Sequence, residues 1–126
     1  MARKRPQTEY DQHIIDALLR LDIPIVGKDK KRFYIRSEAR KETGLQHIAN
    51  RKHRLKVRDI EMIPSFLKHP KYECADPLKK NYRNYYGIRE SKNAVLFIKI
   101  VTWVNPSNPN IETIITIYPT PTIKVE

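Results

Sequence analysis

Ala94-Val95-Leu96-Phe97-Ile98-Lys99-Ile100-Val101-Thr102-Trp103-Val104 is the stretch on which the fold turns. It is filled with β-branched, aromatic and other apolar residues and holds no glycine or proline, so it predicts a long strand. Asn105-Pro106-Ser107-Asn108-Pro109-Asn110 follows with turn chemistry. Ile111-Glu112-Thr113-Ile114-Ile115-Thr116-Ile117-Tyr118 then predicts a second strand, ended by Pro119 and Pro121. Together they make a β-hairpin with a long loop. Alternation in the second strand puts Glu112, Ile114, Thr116 and Tyr118 on one face and Thr113, Ile115 and Ile117 on the other.

Working back from the hairpin, residues 70–93 are the least regular part. Tyr72, Tyr82, Tyr85 and Tyr86 are interleaved there with Lys71, Lys79, Lys80, Arg83 and Arg89. Two readings stand: tyrosines stacking on nucleotides with phosphates held by the cations, or an ordinary strand with half-buried tyrosines. Before it, Ile60, Ile63, Phe66 and Leu67 recur at helical spacing, with Asp59 able to cap, so a short helix reaches Lys68 and His69-Pro70 stops it.

Gly44-Leu45-Gln46-His47-Ile48-Ala49-Asn50-Arg51-Lys52-His53-Arg54 predicts one helix with Thr43 as its cap. Leu45, Ile48, Ala49 and the stem of Lys52 would pack inward, with His47, Asn50, Arg51 and Arg54 at the edge or outside. His47 and Arg51, four apart, share a face, whereas His47 and His53, six apart, fall on different faces. Ser37 starts a helical turn just before.

Nearer the N-terminus, residues 23–27 and Arg32-Phe33-Tyr34-Ile35-Arg36 form a small hairpin around Lys28-Asp29-Lys30-Lys31, with Phe33 and Ile35 toward the core and Tyr34 outside. Thr8 and Asp11 form a loose capping box for a helix whose face is Ile14, Ile15, Leu18, Leu19 and Leu21, and Pro24 ends it. Residues 1–8 are expected to be a flexible basic arm and 9–126 a single domain. Helices first and antiparallel strands last predict an α+β fold, with helices packed on an antiparallel sheet that ends in the long hairpin.

Charge narrows the function. The 126 residues carry 25 Lys plus Arg against 14 Asp plus Glu, a net +11. The surplus lies in residues 1–92: between Lys28 and Arg58 twelve basic residues face three acidic ones, a local +9. Such concentration favours a polyanion, nucleic acid first and an anionic membrane second. No basic helix has a broad aromatic or leucine face and no apolar run of about 18 residues exists, so a membrane is not expected as a partner. Met1-Ala2-Arg3-Lys4-Arg5-Pro6 has no apolar segment behind it, so no secretory signal is expected. The lone Cys74 precludes an internal disulfide and suits a reducing, cytoplasmic setting. Oligomeric state is not legible.

Several chemistries find no support. His69 and Cys74 fit no zinc spacing, so no metal is expected, and no other cofactor either. Gly27, Gly44 and Gly87 are too few and too scattered for a phosphate-cradling loop. Cys74 reads as an idle thiol. A metal-free ribonuclease remains attainable, because attack by a 2′-hydroxyl needs a base, an acid and cations around the developing phosphorane charge. His47 supplies the titratable group. Arg51, with Lys52, Lys80 or Arg83, would hold phosphate, while Thr116 and Tyr118 would add hydroxyls. His53, Arg54 and Tyr86 complete the candidate nucleic-acid contacts.

The succession of His47-Ile48-Ala49-Asn50-Arg51, Asp59-Ile60-Glu61-Met62-Ile63-Pro64, a tyrosine-basic strand, an apolar strand and Ile114-Ile115-Thr116-Ile117-Tyr118 resembles a known family over roughly residues 30–120. These are the phage- and mobile-element-associated nucleases of the barnase–EndoU–colicin–RelE superfamily. The resemblance implies a small α+β ribonuclease without metal, toxin-like, acting on RNA such as tRNA, with an inhibitor or immunity protein as a further partner. It implies catalytic groups at His47 and Thr116. The family pattern places a second histidine directly after the arginine. Here Lys52 intervenes, so Lys52 or His53 takes that role. The competing reading is a non-catalytic, basic nucleic-acid-binding protein of a phage or mobile element. No helix-turn-helix is evident to make it a sequence-specific DNA reader.

Overall fold

A computed structural model describes residues 10–35, 45–89 and 95–121. The arm at 1–8, the caps at Thr8 and Thr43, the turn at Ser37 and the strand start at Ala94 lie outside them.

Asp11 is the residue that starts helix α1 (Gln12–Leu19): its carboxylate accepts from the His13 N–H at 2.9 Å, satisfying one of the orphan donors of the first turn. Ile14, Ala17 and Leu18 are buried, Ile15 and Leu21 pack beside them, and Leu19 points outward at 64% exposure. The expected small hairpin is present. Strand β1 (Ile25–Val26) pairs antiparallel with β2 (Arg32–Ile35), and Phe33 is fully buried.

The helix expected over 44–54 is broken. Helix α2 spans only Leu45–Ile48, and a 3-10 turn follows at Arg51–His53. Two contacts distant in sequence cause the break. The Asp11 N–H takes the Ala49 carbonyl at 2.9 Å, which a continuous helix would give to its own next turn, and Tyr10 forms a β-bridge with Asn50. Asn50 is extended, and its side chain accepts from the Lys52 N–H to start the new turn.

Helices α3 (Val57–Glu61) and α4 (Ile63–Lys68) divide what the sequence reads as one helix. Pro64 has no N–H to give, so it belongs at the beginning of a helix and not in its middle. Ile60, Ile63, Phe66 and Leu67 are buried as expected. Asp59 helps start α3 from inside its first turn, accepting the Lys56 N–H at 2.7 Å.

The tyrosine-basic segment is strand: β3 (Tyr72–Ala75) pairs antiparallel with β4 (Tyr82–Arg89). The C-terminal hairpin is β5 (Leu96–Val104) and β6 (Ile111–Thr120). Strand β6 runs through Pro119, which stands opposite Ile98. Past Ile114 no strand flanks β6 on its β2 side among the described residues, and there a missing N–H breaks no ladder.

The fold is α+β: one six-stranded sheet ordered β1-β2-β6-β5-β4-β3 with short helices against it. The β2–β6 pairing is parallel, so the sheet is mixed where antiparallel was expected. The core lies on one face, where Phe33, Tyr85, Ile98, Ile100, Ile114 and Ile117 meet Ile14, Leu18, Ile48, Ile60, Ile63, Phe66 and Leu67. Gly87 allows this contact, because a Cβ there would stand 2.2 Å from the Phe66 ring.

Candidate active site

The site lies on the other face of the sheet, and a β-bulge puts it there. Val101 pairs with Thr116 but Thr102 pairs with Ile114, so Ile115 is an extra residue in β6. One extra residue reverses the phase of a strand. Ile114 and Ile117 therefore both enter the core, while Thr116 and Tyr118 point to the outer face. The sequence grouped Ile114 with Thr116 and Tyr118, and the bulge separates them.

Register assembles the neighbours. Lys99 stands between Tyr86 and Tyr118, and Val101 between Asn84 and Thr116. Lys99 Nζ lies 5.4 Å from the Tyr118 ring centroid and 5.9 Å from that of Tyr86. Helix α2 and the following turn pack against the half of β6 that β2 leaves uncovered, which brings both histidines to this face. The His47 and His53 ring centroids are 5.2 Å apart at 81°, and His53 lies 6.3 Å from Tyr118. A cleft of about 510 Å³ is lined by His47, Lys99, Thr116 and Tyr118, with Asp76, Lys79 and Tyr82 on its far side.

Local contacts set the chemistry. His53 Nδ1 lies 3.2 Å from the Ile48 carbonyl oxygen. A carbonyl can only accept, so this contact favours the tautomer with the hydrogen on Nδ1. Burial lowers the pKa of Lys99, but the Tyr118 hydroxyl and the charges of Tyr118, Tyr86 and Asp76 outweigh it and hold the value above that of an ordinary lysine. The ammonium is thus a fixed cation at neutral pH. Burial raises the pKa of Asp76, yet the N–H groups of Leu78 and Lys79, the Asn84 amide and Lys99 bring it below the usual carboxylate range. Thr116 Oγ1 is buried at the cleft wall with no hydrogen-bond partner among the described residues.

His47, Thr116 and Tyr118 are brought together as the sequence suggested. Arg51 is not with them. The broken helix turns it to Tyr10, whose carbonyl accepts from Nε at 3.3 Å. His53 takes its place beside His47, so the two histidines placed on different faces meet. Lys52 and Arg54 are exposed on the 3-10 turn and just after it. Tyr86 is fully buried and offers no ring face to a base. Lys80 and Arg83 line a neighbouring groove, and Arg83 pairs with Glu73 at 3.3 Å. Lys99 and Asp76 were missed, while Lys79 and Tyr82 were named in the tyrosine-basic segment but not as part of this cleft. Lys99 had a signal: it is the one charged residue in the apolar stretch 94–104.

Among the described residues, no three His, Cys, Asp or Glu side chains converge as a metal set, and no helix is long and apolar enough to cross a membrane. None of the protein-family models, curated proteins or solved structures compared with this chain matches it.

Proposed function

We propose that this protein is a metal-independent endoribonuclease that cleaves RNA by attack of a 2′-hydroxyl on the adjacent phosphate. The observation that carries the reading is the pairing of two imidazoles, 5.2 Å apart, with His47 lining a cleft that also holds the Lys99 ammonium and the Thr116 and Tyr118 hydroxyls. One histidine takes the 2′-hydroxyl proton as the oxygen attacks phosphorus. The other protonates the departing 5′-oxygen. Lys99 stabilises the charge that builds on the phosphorane oxygens, and Thr116 and Tyr118 hydrogen-bond to them. The products are a 2′,3′-cyclic phosphate and a 5′-hydroxyl end.

The net charge of +11 suits an RNA substrate, tRNA included. A toxin-like role in the cytoplasm of a bacterial or phage-infected cell, restrained by an inhibitor protein, belongs to the same proposal. The test is incubation of labelled tRNA and single-stranded RNA with wild type, His47→Ala and His53→Ala protein in EDTA. Cleavage by wild type that leaves cyclic phosphate ends and is lost in both variants supports the reading. Intact RNA in every lane overturns it.

A further inference from the structure

The catalytic cleft is not the end of the cavity. Asp76, Lys79 and Tyr82 line both this cleft and a second groove of about 480 Å³, so the two adjoin. Lys31, Lys79, Lys80 and Arg83 line the second groove, and none belongs to the histidine cluster. Their roles divide. Lys31 is fixed by the buried Glu112 carboxylate at 3.0 Å and Arg83 by Glu73, so these two cations are held in place before any ligand arrives. Lys80 is exposed on the β3–β4 turn and can swing to a ligand. Lys79 sits over the Tyr82 ring at 5.3 Å, at the junction of the two cavities.

Aromatic surface lies at the same junction. Tyr82 is directly opposite Trp103 in the β4–β5 register. Alternation along β5 puts Trp103 on the face of Lys99 and Val101, and both rings remain partly exposed. Cross-strand partners on one face have Cβ atoms about 5 Å apart, so these two side chains are neighbours on that face. Bases stack on such surfaces with little regard to sequence, while cations beside them follow the backbone.

We infer that the second groove is a binding site for the nucleotides flanking the scissile phosphate. The chain would run from the histidines, across Tyr82, to Lys80 at the end of the sheet, where Arg83 reaches the groove from the opposite face. The ligand class is therefore a single-stranded oligonucleotide longer than a dinucleotide. The inference rests on the ribonuclease reading for which phosphate lies at the histidines.

Trp103 is the sole tryptophan, so its emission reports occupancy beside Tyr82. The probe is a series of 2′-deoxy oligonucleotides of two to six residues, which cannot undergo 2′-hydroxyl attack. Affinity for the full chain is expected to rise about tenfold or more across the series, with quenching of Trp103. Lys80→Glu should remove most of that rise, and Tyr82→Leu should weaken it without changing the protein's circular dichroism. Arg83→Gln gives a second charge test should Lys80→Glu fold poorly. Affinity that does not grow with length, or a rise that survives both charge substitutions, overturns the inference. Length-dependent binding by a wild type that cuts no RNA leaves the groove standing and removes the nuclease reading. Cleavage of RNA without length-dependent binding does the reverse.

Discussion

The His47 and His53 rings meet edge to face, 5.2 Å between centroids, although a continuous helix would hold them on different sides. The contact exists because the helix stops at Ile48 and resumes as a tighter turn after Asn50. Two titratable rings within reach of one phosphodiester are what a two-step proton relay needs, so the break in the helix makes the site.

Loss of either histidine should therefore abolish most turnover. His47→Ala and His53→Ala are each expected to lower kcat/KM on RNA by about 10²- to 10⁴-fold. A His53→Ala protein with near wild-type rates would remove His53 from the mechanism.

Lys99 faces Tyr118 across the ladder, and in the proposed mechanism it acts on charge that appears only in the transition state. Lys99→Gln should reduce kcat by about 10²- to 10³-fold with a much smaller change in KM, and Lys99→Arg should recover part of it. Steady-state kinetics separate the two parameters. A change confined to KM would assign Lys99 to ground-state binding.

A second pair holds the turn that carries His53. Arg89 Nε donates to Asp59 Oδ1 at 2.9 Å, and its Nη2 reaches Asp59 Oδ2 and the Arg54 carbonyl. The Asp59 side chain is 4% exposed, so removal of Arg89 leaves a buried carboxylate without its cation. Arg89→Ala is expected to cost about 3–5 kcal/mol in urea unfolding. Loss under about 1 kcal/mol would mean that water reaches Asp59 and compensates it.

Alkaline pH should expose a third weakness. Burial raises the pKa of Tyr85, the neighbouring Glu112 carboxylate adds to this, and Arg83 opposes it. The phenol is thus held neutral in the fold while the unfolded chain ionises near the ordinary 10.0. A folded pKa above the unfolded one gives stability that is complete below about pH 10 and lost as pH rises beyond it. The Tm should be level to about pH 9 and fall above 10. Tyr85→Phe, which deletes the donor to Glu112, should cost about 1–3 kcal/mol at neutral pH and make the alkaline decline shallower.

The hairpin was legible because β5 has a continuous apolar composition and the intervening loop holds turn residues. The amphipathic faces of α1 and of 60–67 were legible for the same reason: periodicity is local. The site was not, because two non-local events build it. Nothing between Gly44 and Arg54 reveals that Asp11, far back in the chain, takes the Ala49 carbonyl. Nothing in Ile114-Ile115-Thr116 states which isoleucine is surplus to the ladder, since both are apolar and β-branched. Thr116 and Tyr118 were found by their chemistry and do share a face, but Glu112 and Ile114 do not share it with them. Arg51 was chosen on a helical spacing that the chain does not keep. Tyr85 and Tyr86 show the limit of composition: neighbours in sequence, both are buried, one bonded to Glu112 and the other beneath Lys99.

The extra residue at Ile115 has one more consequence, for how this protein can change over generations. Without it, every second position of β6 would answer to the core, and a swap near Thr116 would have to satisfy packing and chemistry together. With it, Ile114 and Ile117 are constrained by core volume, while Thr116 and Tyr118 face the cleft. The two faces of one strand can then be altered independently, so a new substrate preference need not put the fold at risk.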